Sequence, residues 1–185
     1  DNGAGIYLDS STVIIKNLNC NNNISENDGG CLYVKNSKTY IYNSTFTKNH
    51  SNDDGGAIYV ENSSFEIYDS SVIDNTSKDK GGGLCLEKVK SNIQYCNINY
   101  NVAANGGGIF ARHDKMLIKK SIINNNHAVF GGGFYAKEIH FYINSNQLNN
   151  NISSDKGGGI YMIENIGSKI SSTNIINNVT SDNGG

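Results

Sequence analysis

Proline and tryptophan are absent from this 185-residue chain, and arginine occurs once, at Arg112. One arginine and a formal net charge of −2 exclude the basic surplus expected of a nucleic-acid binder. No apolar run approaches the roughly 18 residues that a membrane-crossing helix needs, so no membrane span is expected in this segment. The chain opens on neither a methionine nor a charged-then-apolar leader. The four cysteines, Cys20, Cys31, Cys85 and Cys96, include no C-x-x-C spacing of the kind that marks a thiolate metal site. Cys20/Cys31 and Cys85/Cys96 share the same separation but occupy different columns of the repeat described next. The sequence therefore leaves their pairing, and the redox compartment, open.

Asparagine is what the chain has in excess, well above ordinary usage. Asparagine is depleted in ordinary strands and favoured in turns. So much of it in an ordered chain implies many turns, or side-chain amides stacked in register. Regularly spaced aliphatic residues speak against a disordered polar tract.

Those aliphatics belong to a repeat. A small-residue signature recurs at Gly3, Gly29, Gly55, Gly81, Gly106, Gly131, Gly157 and Gly184. The interval is nearly constant and falls in the range that marks solenoids. A second signature, an apolar residue followed three later by asparagine, appears as Leu18/Asn21, Phe46/Asn49, Val72/Asn75, Ile98/Asn101, Ile122/Asn125, Leu148/Asn151 and Ile175/Asn178. After the glycines the period is 2, which means strand. Two apolar columns, Ile6 to Ile160 and Leu8 to Met162, should face a core. Between them stands an aromatic column, Tyr7, Tyr33, Tyr59, Phe110, Tyr135 and Tyr161, broken by Cys85. Next to it runs a charged column, Asp9, Lys35, Glu61, Glu87, Arg112 and Lys137. Because charges are not buried unpaired, the rings are placed outside with them. A middle column (Val13, Ile41, Ile67, Ile93, Leu117, Ile143, Ile170) and the Leu18 to Ile175 column complete the core.

The expected architecture is all-β: a right-handed parallel β-helix (solenoid) of about seven coils of about 26 residues, with three short strands each. The whole chain forms one such segment, and both ends fall at the same point of the repeat, as expected of a piece of a longer repeat protein. A leucine-rich horseshoe fits less well, because seven leucines cannot supply several per unit. The glycines suit bends at positive φ. The late asparagines, Asn21, Asn49, Asn75, Asn101, Asn125, Asn151 and Asn178, suit left-handed turns or an amide ladder.

Gly55–Ile58 (Gly-Gly-Ala-Ile) together with Phe46–Asn49 (Phe-x-x-Asn) resembles the repeats of chlamydial-type polymorphic outer membrane proteins. It is also similar to β-helix repeats on large protist surface proteins. The resemblance extends along the whole chain, with glycine replacing the alanine in most units and Leu, Ile or Val replacing the phenylalanine in most. It implies a cell-surface, adhesive or architectural passenger; the family's membrane barrel has no counterpart in this segment.

The expected role is an extracellular or cell-surface scaffold, a rigid spacer or filament component. Its partners are other chains of the assembly or glycans. The alternative is a carbohydrate-binding or polysaccharide-cleaving coil. The aromatic column is the ligand-binding candidate for that alternative. The stacked Glu61 and Glu87, placed about 5 Å apart by the coil spacing, are its acid pair. The bland readings are ring stacking that steadies the coil and a solvated charge ladder. Scattered acids, one arginine and no tryptophan favour a non-enzyme. Neither cofactor nor metal is expected: the acids before the glycines read as solvated turns, and His50, His113, His127 and His140 occupy unrelated repeat positions. Of seven glycosylation sequons, Asn43 and Asn62 lie off the late-asparagine column, and Asn23 in the following turn is the third candidate.

Overall fold

The computed structural model describes residues 1–181. Among them every regular element is a β-strand. Three seven-stranded parallel sheets run the length of the stack. The first holds Ile6–Asp9, Leu32–Lys35, Ile58–Glu61, Leu84–Glu87, Ile109–Arg112, Phe134–Lys137 and Ile160–Ile163. The second runs from Thr12–Lys16 through Lys38–Tyr42, Ser64–Tyr68, Lys90–Gln94, Lys115–Lys119 and His140–Asn144 to Lys169–Ser171. The third runs from Asn19–Asn21 to Asn174–Ile176. A short fourth strand adds two further three-stranded sheets, joined through single bridges at Val102. Every strand pairs with its equivalent one coil away, so the chain is a parallel β-solenoid of seven coils.

The inward columns form one continuous core. Leu32, Ile58, Leu84, Ile109 and Phe134 are fully buried, as are Val34, Val60, Leu86, Ala111 and Ala136. Ile6, Leu8 and Ile160, on the end coils, pack against this core while partly exposed, and Met162 is 49% exposed. Each fully buried aliphatic contributes about 1.5–3 kcal/mol. Small differences in repeat length do not break the columns. One residue is lost between Val102 and Asn105, which pair with His127 and Phe130 on one side and Thr76 and Lys80 on the other. One is regained at a register shift between Ala128 and Phe130. Gly167, at φ +69°, takes up another between sheets.

Two columns differ from expectation. The middle column is Ile15, Ile41, Ile67, Ile93, Ile118, Ile143 and Ile170. Val13 instead pairs with Thr39, and Leu117 points outward opposite Asn92 and Tyr142. The third-sheet column is Cys20, Phe46, Val72, Ile98, Ile123, Leu148 and Ile175. Leu18 and Ile122 therefore leave it. In each case two apolar residues lie close together, and hydrophobicity cannot choose between them. The inter-coil hydrogen bonds do.

The corners explain the asparagines. Twenty-one non-glycine residues have positive φ, three in every coil. Ten of them are Asn or Asp, the residues that tolerate this conformation best. In most coils the residue after the corner turns its side chain inward and accepts a backbone N–H from the coil before; Val89 and Ile139 are apolar exceptions at the first corner. Ser37 and Ser63 do so at the first corner, and Ser44, Ser70, Ser121 and Asn146 at the second. At the third corner runs an unbroken ladder of Asn23, Asn49, Asn75, Asn101, Asn126, Asn151 and Asn178. Each oxygen also accepts the side-chain N–H of its lower neighbour, at 3.0–3.1 Å. The turn and ladder roles thus fall to successive residues. Asn125 is the corner, at φ 56°, and Asn126 the ladder member. Asn21 is exposed and bonded to Asn19, and Asn23 takes its place in the ladder.

Cys20 and Cys31 form a disulfide across the first two coils, with Cα atoms 6.3 Å apart. Cys85 and Cys96 are buried free thiols. Cys96 stands where other coils have serine, and its thiol donates to the Gln94 carbonyl as Ser70 donates to that of Tyr68.

Candidate functional site

The outer face of the first sheet carries the aromatic column. Tyr7, Tyr33 and Tyr59 stack with ring centroids 5.0 and 5.2 Å apart, and Phe110 and Tyr135 stack at 4.9 Å. The middle of this column is not a ligand platform. Tyr33, Tyr59, Cys85 and Phe110 are 5, 8, 0 and 4% exposed and form a second apolar cluster, with Tyr135 packed against it. Tyr7, on the end coil, is 52% exposed. Tyr161 is half-buried and stacks on Phe130. Residues just before the glycine bends lie over rings of this column: Lys80 Nζ is 5.8 Å from the Phe110 centroid, and Phe130 stacks on Tyr161 at 5.6 Å. Parity placed the rings outside the coil correctly, but outside the coil is not the same as exposed.

The charged column is ion-paired along the stack. Glu61 meets Lys35 at 3.2 Å and accepts the Tyr33 hydroxyl at 2.6 Å. Glu87 meets Arg112 at 2.9 Å. Lys80 reaches Asp54 at 2.9 Å, Asp79 at 3.6 Å and Glu87 Oε1 at 3.9 Å. The last is an ion pair only, and Glu87 Oε1 lacks a hydrogen-bond partner among the described residues. Burial pushes the Asp54 carboxyl up to about 6, against the pull of the Lys80 ammonium. Burial would lower Lys80, but its bond to Asp54 wins and raises it. Burial also raises the Cys85 thiol.

Asp54, Cys85 and Glu87 place ligand-type atoms within 4.8 Å of one another, as do Asp28, Asp53 and Asp54. In the first group Lys80 already supplies the cation. In the second, Asp28 and Asp54 accept backbone N–H groups of Asp54 and Lys80 from the next coil. Asp54 is 6% exposed, so Asp28 and Asp54 form a structural ladder, while Asp53 is a solvated turn acid.

The sequons separate cleanly. Asn43 and Asn62 are exposed corner residues. Asn23 is spent in the ladder, its side-chain nitrogen 3.0 Å from Asn49 Oδ1.

The outer side of the second sheet, which sequence reasoning did not single out, is an open face that carries a groove. Tyr42 and Tyr68 stack there at 5.3 Å. Beside them a groove of about 390 Å³ is lined by residues including Glu66, Lys90, Lys115, Leu117, His140 and Tyr142. Its signal was the alternate register of the middle strand, hidden by assigning Leu117 to the core.

Residues 43–61 match the family model described as the Chlamydia polymorphic membrane protein repeat. The stretch spans the second and third corners, the Phe46 strand, the Asn49 ladder position, the glycine bend at Gly55 and the Ile58–Glu61 strand. No curated protein and no solved structure matches the chain. A polymorphic membrane protein repeat set within a parallel β-solenoid fits a surface β-helix protein.

Proposed function

We propose that this chain, with its polymorphic membrane protein repeat, is a surface scaffold that acts as a stiff spacer and makes adhesive contacts through its lateral faces. The observation that carries this reading is the continuity of the stack. Three sheets of seven strands share one core, and a side-chain ladder at every coil follows the third corner. Such a stack resists bending because each coil contacts its neighbours over its whole perimeter, and repeat proteins of this kind offer extended binding surfaces. Seven coils at about 4.8 Å each give a rod about 34 Å long. The ion pairing of Glu61 with Lys35 and of Glu87 with Arg112 supports a non-enzymatic role. Its partners are then other surface chains or glycans. The test is labelling of intact source cells with an antibody raised against the folded chain. Surface labelling without permeabilisation is expected; labelling only after permeabilisation overturns the reading.

A further inference from the structure

In the first sheet stacked charges find opposite partners, Lys35 with Glu61 and Arg112 with Glu87, whereas Lys90 and Lys115 of the second sheet find none among the described residues. Lys90, Lys115 and His140 occupy one register column on three consecutive coils, and all three are exposed. Among the described residues no carboxylate lies within 4.0 Å of either lysine ammonium. Like charges directly opposite on adjacent strands are destabilising. The fold bears this cost in a chain whose net charge is −2.

The next outward column provides a different surface. Leu117 and Tyr142 lie side by side beside the lysines, and Lys169 sits 5.7 Å above the Tyr142 ring. Glu66, held by the Tyr68 hydroxyl, puts a negative charge at one end of the groove. His140 Nδ1 lies 3.2 Å from the Ile166 carbonyl. A carbonyl only accepts, so Nδ1 donates this bond, and Nε2 has no hydrogen-bond partner among the described residues.

We propose that this groove binds a linear acidic polysaccharide. Its carboxylate or sulfate groups lie on Lys90, Lys115 and His140, and its ring faces lie on Leu117 and Tyr142. The basic side chains recur at the coil spacing, about 4.8 Å. An extended polyanion lying along the stack therefore meets one of them at each of three consecutive coils. A nucleic-acid backbone, with its denser charge, would call for more cations and for arginine; the groove has two lysines, one histidine and no arginine. The proposal rests on the scaffold reading only in that the groove must be displayed, and it names the ligand class for that surface.

The test is surface-immobilised binding of the 185-residue chain at low ionic strength, where screening is weak. The probes are heparin, hyaluronan, neutral dextran and duplex DNA. Binding to heparin or hyaluronan and not to dextran is expected. Lys90→Glu with Lys115→Glu should weaken it by at least about tenfold, and Tyr142→Ala should weaken it further. Lys16→Glu, elsewhere on the same sheet, should leave it unchanged. All four positions are outward, so unchanged melting temperatures verify folding. Lys90→Ser, which copies Ser64 one coil earlier, provides a milder variant if the charge reversals fail to fold. Absence of binding to either acidic glycan overturns the proposal, as does equal affinity for DNA with no effect of Tyr142→Ala. Either result, obtained with a folded chain that still labels the cell surface, leaves the scaffold reading standing.

Discussion

The side-chain oxygen of Asn75 accepts two hydrogen bonds from Asn49, one coil away: the backbone N–H at 2.9 Å and the side-chain N–H at 3.0 Å. Asn75 in turn donates to Asn101 and to the Phe46 carbonyl. Both of its neighbours are as buried as it is. Asn75→Ala therefore strands the Asn49 N–H and the Phe46 carbonyl in the interior. A loss of about 2–4 kcal/mol is expected by chemical denaturation. Asn52→Ala, on an exposed turn, should stay within about 0.5 kcal/mol. Equal effects at the two sites would deny the ladder its role.

Asp114 replaces serine at the first corner. Oδ1 accepts the Val89 N–H at 2.7 Å, while Oδ2 is buried without a partner among the described residues. Burial raises its pKa to about 8. A raised folded-state pKa means the folded chain holds this proton more tightly than the unfolded chain does. The stabilisation is complete below the unfolded value of about 3.9 and is lost as pH rises through about 8. Two coils on, Asn165 fills the equivalent position with both an acceptor, to Ile139 N–H, and a donor, to the Ala136 carbonyl. Asp114→Asn should therefore flatten this pH dependence and stabilise the chain at pH 8, on the order of 2 kcal/mol. Melting curves across that range check it; a less stable variant at pH 8 would mean the carboxylate is compensated.

Cysteine chemistry should divide the four residues in two. In the native chain no thiol should react with iodoacetamide, since Cys85 and Cys96 are 0 and 1% exposed and burial pushes the Cys96 thiol up to about 12. Unfolding without reductant should release two reactive thiols, and reductant four. Replacing Cys20 and Cys31 by serine should cost about 2–3 kcal/mol, concentrated in the first two coils. Four reactive thiols in the unreduced, unfolded chain would rule out the disulfide.

Backbone packing at the glycine bend leaves no room for a side chain. A Cβ on Gly56 would lie 2.3 Å from the Gly82 carbonyl oxygen of the next coil. Gly56→Ala should destabilise the chain by more than about 2 kcal/mol, and urea unfolding tests this. A neutral result would show that the coils can separate locally.

Expressed through a eukaryotic secretory pathway, the chain should carry glycans at Asn43 and Asn62. The sequons at Asn23, Asn49, Asn75, Asn151 and Asn178 lie in the ladder and should stay bare once folded. Peptide mapping by mass spectrometry decides this; occupancy at Asn75 in folded material would contradict the ladder.

The repeat, the strand period and the identity of most inward columns were legible from residue pattern alone, because a core column must be apolar in every coil. Ile58, Leu84 and Ile109 could not belong elsewhere. The frame slipped where two apolar residues stand side by side, at Ile122/Ile123 and Leu117/Ile118, or where cysteine takes an apolar place, at Cys20. Asn125 and Asn21 were misassigned by the same slip.

What the sequence determined by itself is the coil, because alternation of apolar and polar side chains repeated seven times admits one way of burying them. What only the tertiary structure decided is which outward face meets solvent. Exposure of Tyr59 or Tyr142 depends on whether another stretch of chain folds across it. The segment ending at Lys80 does so over the first sheet and leaves the groove beside Lys90 and Lys115 open.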